Sequence, residues 1–500
     1  MTGADFLQLD PSRAPARGVT EWLTGQLRGA IADGRLSPGA RLPATRELAA
    51  DLRIARGAVV EAYQRLREEG LVDGRTRAGT TVRSAPARPQ RAGRRSAAVT
   101  TPTSPHPGAA PSGIRLDLYP GLPDLTDFPR AAWLRHERAV LTETPAAELG
   151  YGDPRGHPVL RAELAAWLSR TRGLRVGADG IIVVTGVAQS LALLGQQLVR
   201  DGKNIVAVED PGSAGAVQQL EHWGVHARPV PVDADGLVVE RLASTRARSV
   251  FVTPAHQFPT GVVLSAARRR DLVEWAGRGR LIIEDDYDAD QRYDRAPVAA
   301  IQPAAPDLVA HTGSTSKSLA PGLRLGWLVP PPRLYDDLVV ARRASDLGGP
   351  ALAQLVLARF IASGDYDRHL RRQRARQRHR RDVLLEALAA ALPDAAIGGV
   401  AAGLHVQVTF PHLAGRLDDR DLAADLARRG VRVQPLRMHR HTPGEPGLVL
   451  GYGAESPDGL AEAVGIIARV VAGAGGSRGR SLCTPVSIGG HLPQEPAPDR

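Results

Sequence analysis

The sequence predicts an α/β protein in which a small N-terminal helical domain precedes a larger domain with a mostly parallel sheet flanked by helices. In the larger part, short apolar runs are each followed two residues later by Gly, Asp or Pro, and they alternate with longer amphipathic stretches; examples are residues 181–184, 205–208, 250–252 and 281–283. This pattern is typical of buried parallel strands with crossover helices. In the first 83 residues the apolar side chains recur with helical spacing instead.

Changes in composition divide the chain into four regions. Residues 1–83 form the helical domain, and residues 84–113 contain six Pro and four Arg but no acid, which predicts an extended basic linker. Residues 114–472 form the α/β domain. Residues 473–500 are rich in Gly, Pro and Ser, so we expect a disordered tail.

Charge and cysteine content narrow the class of protein and the partners to expect. The net charge of +11 and the pI of about 10.4 favour polyanionic partners. The single cysteine, Cys483, excludes an intramolecular disulfide framework. The chain opens with no leader-like segment, and no apolar run is long enough to span a membrane. We therefore expect a cytoplasmic protein without a membrane partner.

Lys317 is the first candidate for chemistry. The chain has 64 Lys plus Arg residues, and only Lys203 and Lys317 are lysines. An Arg serves equally well for charge, but its guanidinium is a poor nucleophile. Lys317 follows several small hydroxyl residues and precedes Arg324 by seven positions. This spacing indicates a Schiff-base lysine with phosphate ligands around it, and the alternative is a surface lysine in a Ser/Thr loop.

Two further segments follow predicted strands and point to pyridoxal phosphate. Residues 284–288 read Glu-Asp-Asp-Tyr-Asp, and a carboxylate there can bind a protonated pyridine nitrogen while a tyrosine donates to a phenolic oxygen. Residues 185–190 begin a helix with Thr-Gly-Val-Ala, where backbone N–H groups can hold a phosphate. A solvated acidic run and an ordinary tight turn are the alternatives. No metal site is expected.

The first 83 residues resemble the GntR family of DNA-binding domains. The match rests on Ala30-Ile31 with Gly34-Arg35-Leu36, on Leu42-Pro43 with Arg46-Glu47-Leu48-Ala49, and on Glu69-Gly70-Leu71. The resemblance implies a winged helix-turn-helix that binds a double-stranded DNA operator, with one helix in the major groove. It implies base or phosphate contacts from Arg46 and Arg56, a wing tip at Gly79, and phosphate contacts from Arg41, Arg53 and Arg77.

Residues 114 to about 470 resemble the fold-type I aminotransferases. The match includes Tyr151-Gly152-Asp153-Pro154, His256-Gln257-Phe258-Pro259-Thr260-Gly261 and the Lys317–Arg324 segment. Together with the N-terminal domain, this looks like the MocR/GabR subfamily of regulators. The resemblance implies that Lys317 forms a Schiff base, that Asp285 (or Asp286) pairs with the ring nitrogen, and that Tyr287 contacts the ring oxygen. It also implies a phosphate site that is formed by Ser314, Ser316, Arg324 and the backbone of Val187 and Ala188. It further implies a homodimer, in which Tyr151 reaches the phosphate of the neighbouring subunit.

Two positions depart from the subfamily pattern. Ser213 stands where an aromatic residue commonly covers the cofactor ring, and Val449 stands where an Arg clamps a substrate carboxylate. Arg437 and Arg440 are the candidate replacements for that clamp. The loss of an aromatic contact is expected to weaken cofactor binding by about 1 kcal/mol.

We interpret the chain as a DNA-binding regulator that senses pyridoxal phosphate, or an amine or amino acid that forms an external aldimine with it. Vitamin B6 synthesis and amino-acid metabolism are the candidate targets, and at most a vestigial transamination half-reaction is expected. The alternatives are a genuine pyridoxal-phosphate-dependent aminotransferase and a regulator that has lost the cofactor.

Overall fold

The computed structural model describes residues 15, 18–75, 79–83, 112–277, 279–294, 298–399 and 402–476. The chain divides into two compact units, Met1–Ser104 and Pro105–Arg500, at a point inside the predicted linker. The predicted DNA contact Arg77, linker residues 84–111 and tail residues 477–500 lie outside the described residues.

The described residues of the first unit form three helices and a two-stranded wing. Its elements are α1 (Val19–Ala32), α2 (Thr45–Asp51), α3 (Arg56–Glu68), β1 (Val72–Arg75) and β2 (Gly79–Val82). The apolar side chains predicted for one face of each helix are buried together, among them Leu27, Leu48 and Leu66. The strands pair antiparallel, with Val72 opposite Val82. The helical domain is therefore a winged helix-turn-helix.

Two local details of this unit were not predicted. The amide of Leu42 donates to the carbonyl of Thr80 at 2.8 Å, and Arg41 forms an isolated antiparallel bridge with Thr81. The segment before α2 therefore pairs with β2. Ala44 is the N-cap of α2, and the Glu47 carboxylate accepts its N–H at 3.3 Å. The Glu47 side chain therefore does the capping.

The second unit contains, among its described residues, an eight-stranded sheet, a four-stranded sheet and a two-stranded parallel sheet. Its strands are β3 (Leu116–Asp117), β4 (Ile182–Val184), β5 (Ile205–Asp210), β6 (His226–Asp233), β7 (Gly236–Leu237), β8 (Ser249–Val252), β9 (Leu281–Asp285), β10 (Val309–Ser314), β11 (Gly326–Val329), β12 (Ala396–Gly398), β13 (His405–Thr409), β14 (Val431–Arg432), β15 (Gln434–Pro435) and β16 (Gly447–Gly451). Its helices are α4 (Arg130–Glu143), α5 (Pro158–Arg172), α6 (Val187–Arg200), α7 (Ala214–His222), α8 (Ala266–Ala276), α9 (Pro332–Asp346), α10 (Ala351–Ala362), α11 (Asp365–Ala391), α12 (Asp419–Arg428) and α13 (Pro457–Gly476).

The strand order of the large sheet is β4-β11-β10-β9-β8-β5-β6-β7. Neighbours from β10 through β6 run parallel, whereas β11 is antiparallel to both of its neighbours and β7 is antiparallel to β6. The predicted α/β class with a mostly parallel sheet is confirmed. Helices cover both faces of this sheet, so the side chains on both faces of its strands are buried. The strands are therefore continuous apolar runs without polar alternation.

The carboxyl ends of four parallel strands meet at one edge of this sheet. There β5 ends at Asp210, β8 is followed by Thr253, β9 ends at Asp285 and β10 ends at Ser314. Ligand sites in open α/β sheets lie outside the carboxyl ends of the strands. This edge therefore positions the candidate site.

A smaller antiparallel sheet, in the order β12-β13-β16-β15, packs on α11, α12 and α13. Its core includes Val406 of β13 and Leu448 and Leu450 of β16. Helix α13 continues to Gly476, three residues past Gly473, the predicted start of the tail. No helix among the described residues is long and apolar enough to cross a membrane.

Candidate functional site

Lys317 lies in the turn that follows β10, and its amine points into the unit. The Nζ atom donates to the carbonyl of Gly121 at 2.7 Å, and the Gln373 amide donates to the Lys317 carbonyl at 3.2 Å. Burial lowers the pKa of Lys317, although the charges of Asp288 and Asp285 act in the opposite direction. A lowered pKa increases the neutral, nucleophilic fraction of the amine.

The two carboxylates at the end of β9 face different surroundings. Asp285 is only 9% exposed and lines the same cavity as Lys317, and its Oδ1 has no hydrogen-bond partner among the described residues. Burial, and then the charges of Asp286 and Asp288, raise the pKa of Asp285 well above its usual range. Asp286 instead accepts two hydrogen bonds from Arg172. The geometry therefore makes Asp285, and not Asp286, available to a ligand.

Tyr287 lines the cavity beside Asp285. Its hydroxyl donates to the main-chain carbonyl of His256 at 3.1 Å and lies 3.3 Å from the Nδ1 atom of the same residue. Burial raises the pKa of Tyr287 well above its usual range, and the nearby charges of Asp288 and Asp285 add to the effect. The phenol is therefore a hydrogen-bond donor across the physiological pH range.

The same cavity also has groups that suit a phosphate. Gly186 precedes α6 with a φ of 111°, so the first residues of the helix, Val187 and Ala188, present their backbone to the cavity. A Cβ at Gly186 would lie 3.5 Å from the guanidinium nitrogens of Arg324. A helix N-terminus and an arginine thus converge at one place. Ser314 and Ser316 line the same end of the turn after β10.

These groups surround one cavity of about 270 Å³. It is lined by Pro120, Gly121, Gly186, Val187, Ala188, Ser213, Thr253, Phe258, Asp285, Tyr287, Ser314, Ser316, Lys317 and Arg324. Eight of the nine residues that the sequence predicts for cofactor binding are brought together here, and Tyr151 is the exception. The individual role of each residue stays a prediction.

Tyr151 lies on the surface, away from Lys317, and is 93% exposed. It belongs to a separate surface pocket of about 820 Å³, whose rim includes the exposed side chains of Leu149, Leu347 and Leu352. Its predicted contact with the phosphate of a neighbouring subunit stays a prediction.

The two departures from the subfamily pattern have structural places. Ser213 lines the cavity, and its Oγ also accepts a hydrogen bond from the amide of Ala216 as the N-cap of α7. Val449 is fully buried in β16, opposite Gln407 and Gln434. The suggested replacements for the clamp, Arg437 and Arg440, line a different pocket, so the described structure does not bring them to Lys317.

Sequence reasoning assigned no role to several residues that shape the cavity. Gly121 accepts the hydrogen bond of Lys317 from 196 positions away, and Thr253 donates to the buried carboxylate of Glu209 at 2.7 Å. Burial raises the pKa of Glu209 to about 7. The ends of β5 and β8 were the available signals for Glu209 and Thr253, whereas no local pattern distinguished Gly121.

The residues present fit pyridoxal phosphate. A protonated pyridine nitrogen would give the buried Asp285 the partner that it lacks among the described residues, because a buried carboxylate without a partner is costly. A phosphate would meet the backbone N–H groups at the start of α6 and the guanidinium of Arg324. Lys317 lines the same cavity as these groups.

The predicted DNA contacts lie on the exposed side of the winged helix-turn-helix. Arg56 is the first residue of α3, Arg46 lies in the first turn of α2, and both side chains are exposed. Arg53, in the turn between these helices, has a φ of 52°. Arg41 packs beside Gly79, whose added Cβ would lie 3.5 Å from its guanidinium. None of these arginines makes an ion pair within the described ranges.

The fold and the cavity define a winged helix-turn-helix regulator with an aminotransferase-like domain. Residues 20–82 match the model of bacterial regulatory proteins of the gntR family, and residues 124–446 match aminotransferase class I and II. The chain belongs to the MocR/GabR subfamily of GntR-type transcription regulators. The family resemblance seen in the sequence is thereby confirmed.

Three similar regulators cover nearly the whole chain. The probable rhizopine catabolism regulatory protein MocR of Rhizobium meliloti is 32% identical, over 88% of this chain and 91% of the relative. The pyridoxine biosynthesis transcriptional regulator PdxR of Corynebacterium glutamicum is 33% identical, over 88% and 92%. The transcriptional regulator TauR of Rhodobacter capsulatus is 32% identical, over 88% and 94%.

Solved aminotransferases resemble the second unit. An archaeal alanine:glyoxylate aminotransferase superimposes with a TM-score of 0.66 at 27% identity, covering 72% of this chain and 91% of that enzyme. LysN, the α-aminoadipate aminotransferase of Thermus thermophilus, gives a TM-score of 0.66 at 26% identity, covering 73% and 93%. The second unit therefore has the fold-type I aminotransferase fold.

Proposed function

We propose that this transcription regulator binds a double-stranded DNA operator through its winged helix-turn-helix and pyridoxal phosphate through Lys317. The observation that carries the proposal is the cavity that is lined by Lys317, by Asp285 and by the phosphate-suited pair of Gly186 and Arg324. Each group has the chemistry for one part of the cofactor.

The residues of the cavity have separate tasks in this proposal. Lys317, with its lowered pKa, supplies a neutral amine. Asp285 holds the proton on the ring nitrogen. Tyr287 turns its single hydroxyl proton from the His256 carbonyl to the ring oxygen when the cofactor is bound. Arg324, Ser314, Ser316 and the backbone of Val187 and Ala188 hold the phosphate. When bound, pyridoxal phosphate supplies an aldehyde that condenses reversibly with primary amines, which makes the site responsive to an amine.

The proposed signal is pyridoxal phosphate itself, or an amine or amino acid that reacts with it. A ligand shifts a regulator only by the difference between its affinities for the two states. The name of the PdxR relative refers to pyridoxine biosynthesis and that of the MocR relative to rhizopine catabolism. Among these, we favour regulation of vitamin B6 synthesis, because Val449 supplies no cation for an amino-acid carboxylate.

We further propose that the regulator works as a homodimer. Tyr151 is almost fully exposed beside the exposed apolar side chains of Leu149, Leu347 and Leu352, and such a patch often marks a protein interface. A second copy seated on this surface would also bring Tyr151 towards another subunit, as its predicted phosphate contact requires.

The test is the visible absorption spectrum of the purified protein with added pyridoxal phosphate, before and after borohydride reduction. We expect a reducible band that Lys317→Ala abolishes. Lys203→Ala is the matched control, because Lys203 is the other lysine and forms an exposed pair with Asp201. A band that persists in Lys317→Ala would contradict the proposal, and no band in the wild type would indicate a regulator that has lost the cofactor.

DNA binding is measured on the same three proteins by gel shift. We expect Lys317→Ala to keep its basal affinity for the operator, since the lysine belongs to the other compact unit. Loss of basal DNA binding in Lys317→Ala would contradict the separate roles of the two domains. A transamination assay with several amino-acid donors tests the alternative of a genuine aminotransferase.

A further inference from the structure

We propose that His256 and Asp288 form a buried pair that positions the Tyr287 hydroxyl at the cofactor, which makes His256 a positioning residue for the sensing site. The inference rests on the proposed binding of pyridoxal phosphate at Lys317. It assigns a task to two residues outside the set that the sequence predicts for the site.

The pair joins two loops at the carboxyl edge of the large sheet. His256 lies in the loop after β8 and Asp288 in the loop after β9, and His256 Nδ1 is 2.9 Å from Asp288 Oδ2. Each side chain is only 1% exposed. A buried carboxylate is costly unless a partner donates to it. The imidazole N–H therefore fixes Asp288, and Asp288 in turn fixes the orientation of the ring.

Two glycines leave the space that the imidazole occupies. Gly403 has a φ of 75°, and a Cβ built there would overlap the His256 ring and lie 2.7 Å from Asp288 Oδ2. A Cβ at Gly261 would lie 3.2 Å from His256 Nε2. The ring of His405 packs on the remaining side, with the two ring centroids 4.9 Å apart. This close packing leaves the imidazole little freedom to rotate.

Tyr287 takes its position from this fixed residue. The phenol donates to the carbonyl of His256 at 3.1 Å and lies 3.3 Å from its Nδ1, while Phe258 packs edge-on against the tyrosine ring. Because Tyr287 and Lys317 line the same cavity, a shift of His256 is transmitted to a hydroxyl that faces the ligand.

Several charged and titratable groups surround the pair of His256 and Asp288. The carboxylates of Asp288, Asp285 and Glu209 all act on Tyr287, and those of Asp288 and Asp285 act on Lys317. From β13, His405 faces the pair as a neutral imidazole, because burial and then the charges of His256 and His439 lower its pKa well below the usual range. Among these groups, His256 is the one that makes a hydrogen bond with Asp288 Oδ2.

The expected effect concerns the proton of the bound cofactor. A phenol that donates to the ring oxygen reduces the negative charge on that oxygen. The oxygen then stabilises the nearby proton of the bound cofactor less strongly. When that donor is displaced, the proton is held more firmly. Variants that loosen Tyr287 should therefore move the pH midpoint of the cofactor's visible absorption band upwards, by about one pH unit for a charge-assisted hydrogen bond.

The experiment is a pH titration of that band in the full-length protein loaded with pyridoxal phosphate. We compare Tyr287→Phe, His256→Asn and the double variant. The expected result is an upward shift in both single variants, and a double variant that shifts no further than Tyr287→Phe, because both changes remove one interaction. Asp288→Asn should shift the midpoint in the same direction and serves as the second variant if His256→Asn does not fold.

The matched control is His311→Asn. His311 forms another buried imidazole–carboxylate pair, with Nδ1 3.4 Å from Glu284 Oε2 and both side chains at most 1% exposed. It lies outside the lining of the cavity, so its loss should change thermal stability but not the midpoint. Thermal unfolding of all variants separates a general loss of stability from the specific spectral shift.

Three outcomes would overturn the inference: an unchanged midpoint in a folded His256→Asn, an equal shift in His311→Asn, or additive shifts in the double variant. Failure of the proposed function looks different. In that case the wild-type protein has no reducible absorption band to titrate.

Discussion

Arg172 holds the carboxylate of Asp286 through two hydrogen bonds of 2.6 and 2.8 Å. The side chains are 2% and 6% exposed, so this is a buried ion pair between α5 and the end of β9. It decides which of two consecutive aspartates is free to meet a ligand. Because Arg172 neutralises Asp286, its neighbour Asp285 is the carboxylate that remains in the cavity.

Substitution should separate the two aspartates. We expect Asp285→Asn to weaken pyridoxal phosphate binding by roughly 10- to 100-fold, because a charge-assisted hydrogen bond to the ring nitrogen is lost. Asp286→Asn should leave affinity nearly unchanged but lower the free energy of unfolding by about 3 kcal/mol, because Arg172 is left buried without its ion-pair partner. Fluorescence titration measures the affinity for pyridoxal phosphate, and urea unfolding measures the free energy of unfolding. If Asp286→Asn lost affinity and Asp285→Asn kept it, Asp286 would be the residue that meets the ligand.

Operator binding should depend on Arg56. It is exposed at the start of α3, and we expect Arg56→Ala to weaken binding by about tenfold or more through loss of a base or phosphate contact. Arg67→Ala, which removes an exposed arginine near the other end of the same helix, is the control for charge. Gel shifts against a selected operator should also show a larger loss for Arg56→Ala than for Lys317→Ala. The reverse order would contradict the role of Arg56 as an operator contact.

Glu209 should make stability depend on pH. Burial raises the pKa of Glu209 to about 7, above the value of about 4.3 for a free glutamate. The folded state thus holds the proton more tightly. Its stabilising contribution is complete below the unfolded pKa and is lost as pH rises through 7.

The matching variant is Glu209→Gln, which keeps an oxygen acceptor for Thr253 but cannot ionise. We expect the free energy of unfolding of the wild type to fall between pH 5 and 8 by up to about 3 kcal/mol relative to this variant. Thermal unfolding across this pH range measures it. Parallel pH profiles of the two proteins would show that Glu209 ionises as it does in water.

Ser213 should show two opposing effects. Ser213→Tyr places an aromatic ring in the cavity, and we expect pyridoxal phosphate to bind about fivefold more tightly, which corresponds to about 1 kcal/mol. The same change removes the N-cap of α7, which costs about 1 kcal/mol of stability. Ser213→Ala isolates the loss of the cap. If Ser213→Tyr bound pyridoxal phosphate no more tightly than Ser213→Ala does, Ser213 would not occupy the place of an aromatic side chain that covers the cofactor ring.

The sequence by itself determined the class of both domains and most of the cavity. Helical spacing of apolar residues predicted α1, α2 and α3, and uninterrupted apolar runs predicted strands such as β5, β8 and β9. These signals are local, because each element buries a face whose period is written in consecutive residues. Lys317 was identified in the same way, from the composition of its own segment.

Tertiary structure decided what depends on residues far apart in the chain. The choice of Asp285 over Asp286 comes from Arg172, 114 positions away, and the carbonyl that accepts from Lys317 comes from Gly121, 196 positions away. The pairing of His256 with Asp288 likewise depends on the order of strands in the sheet. Local periodicity carries no information about which loops meet at the carboxyl edge, so only the packed sheet specifies these contacts.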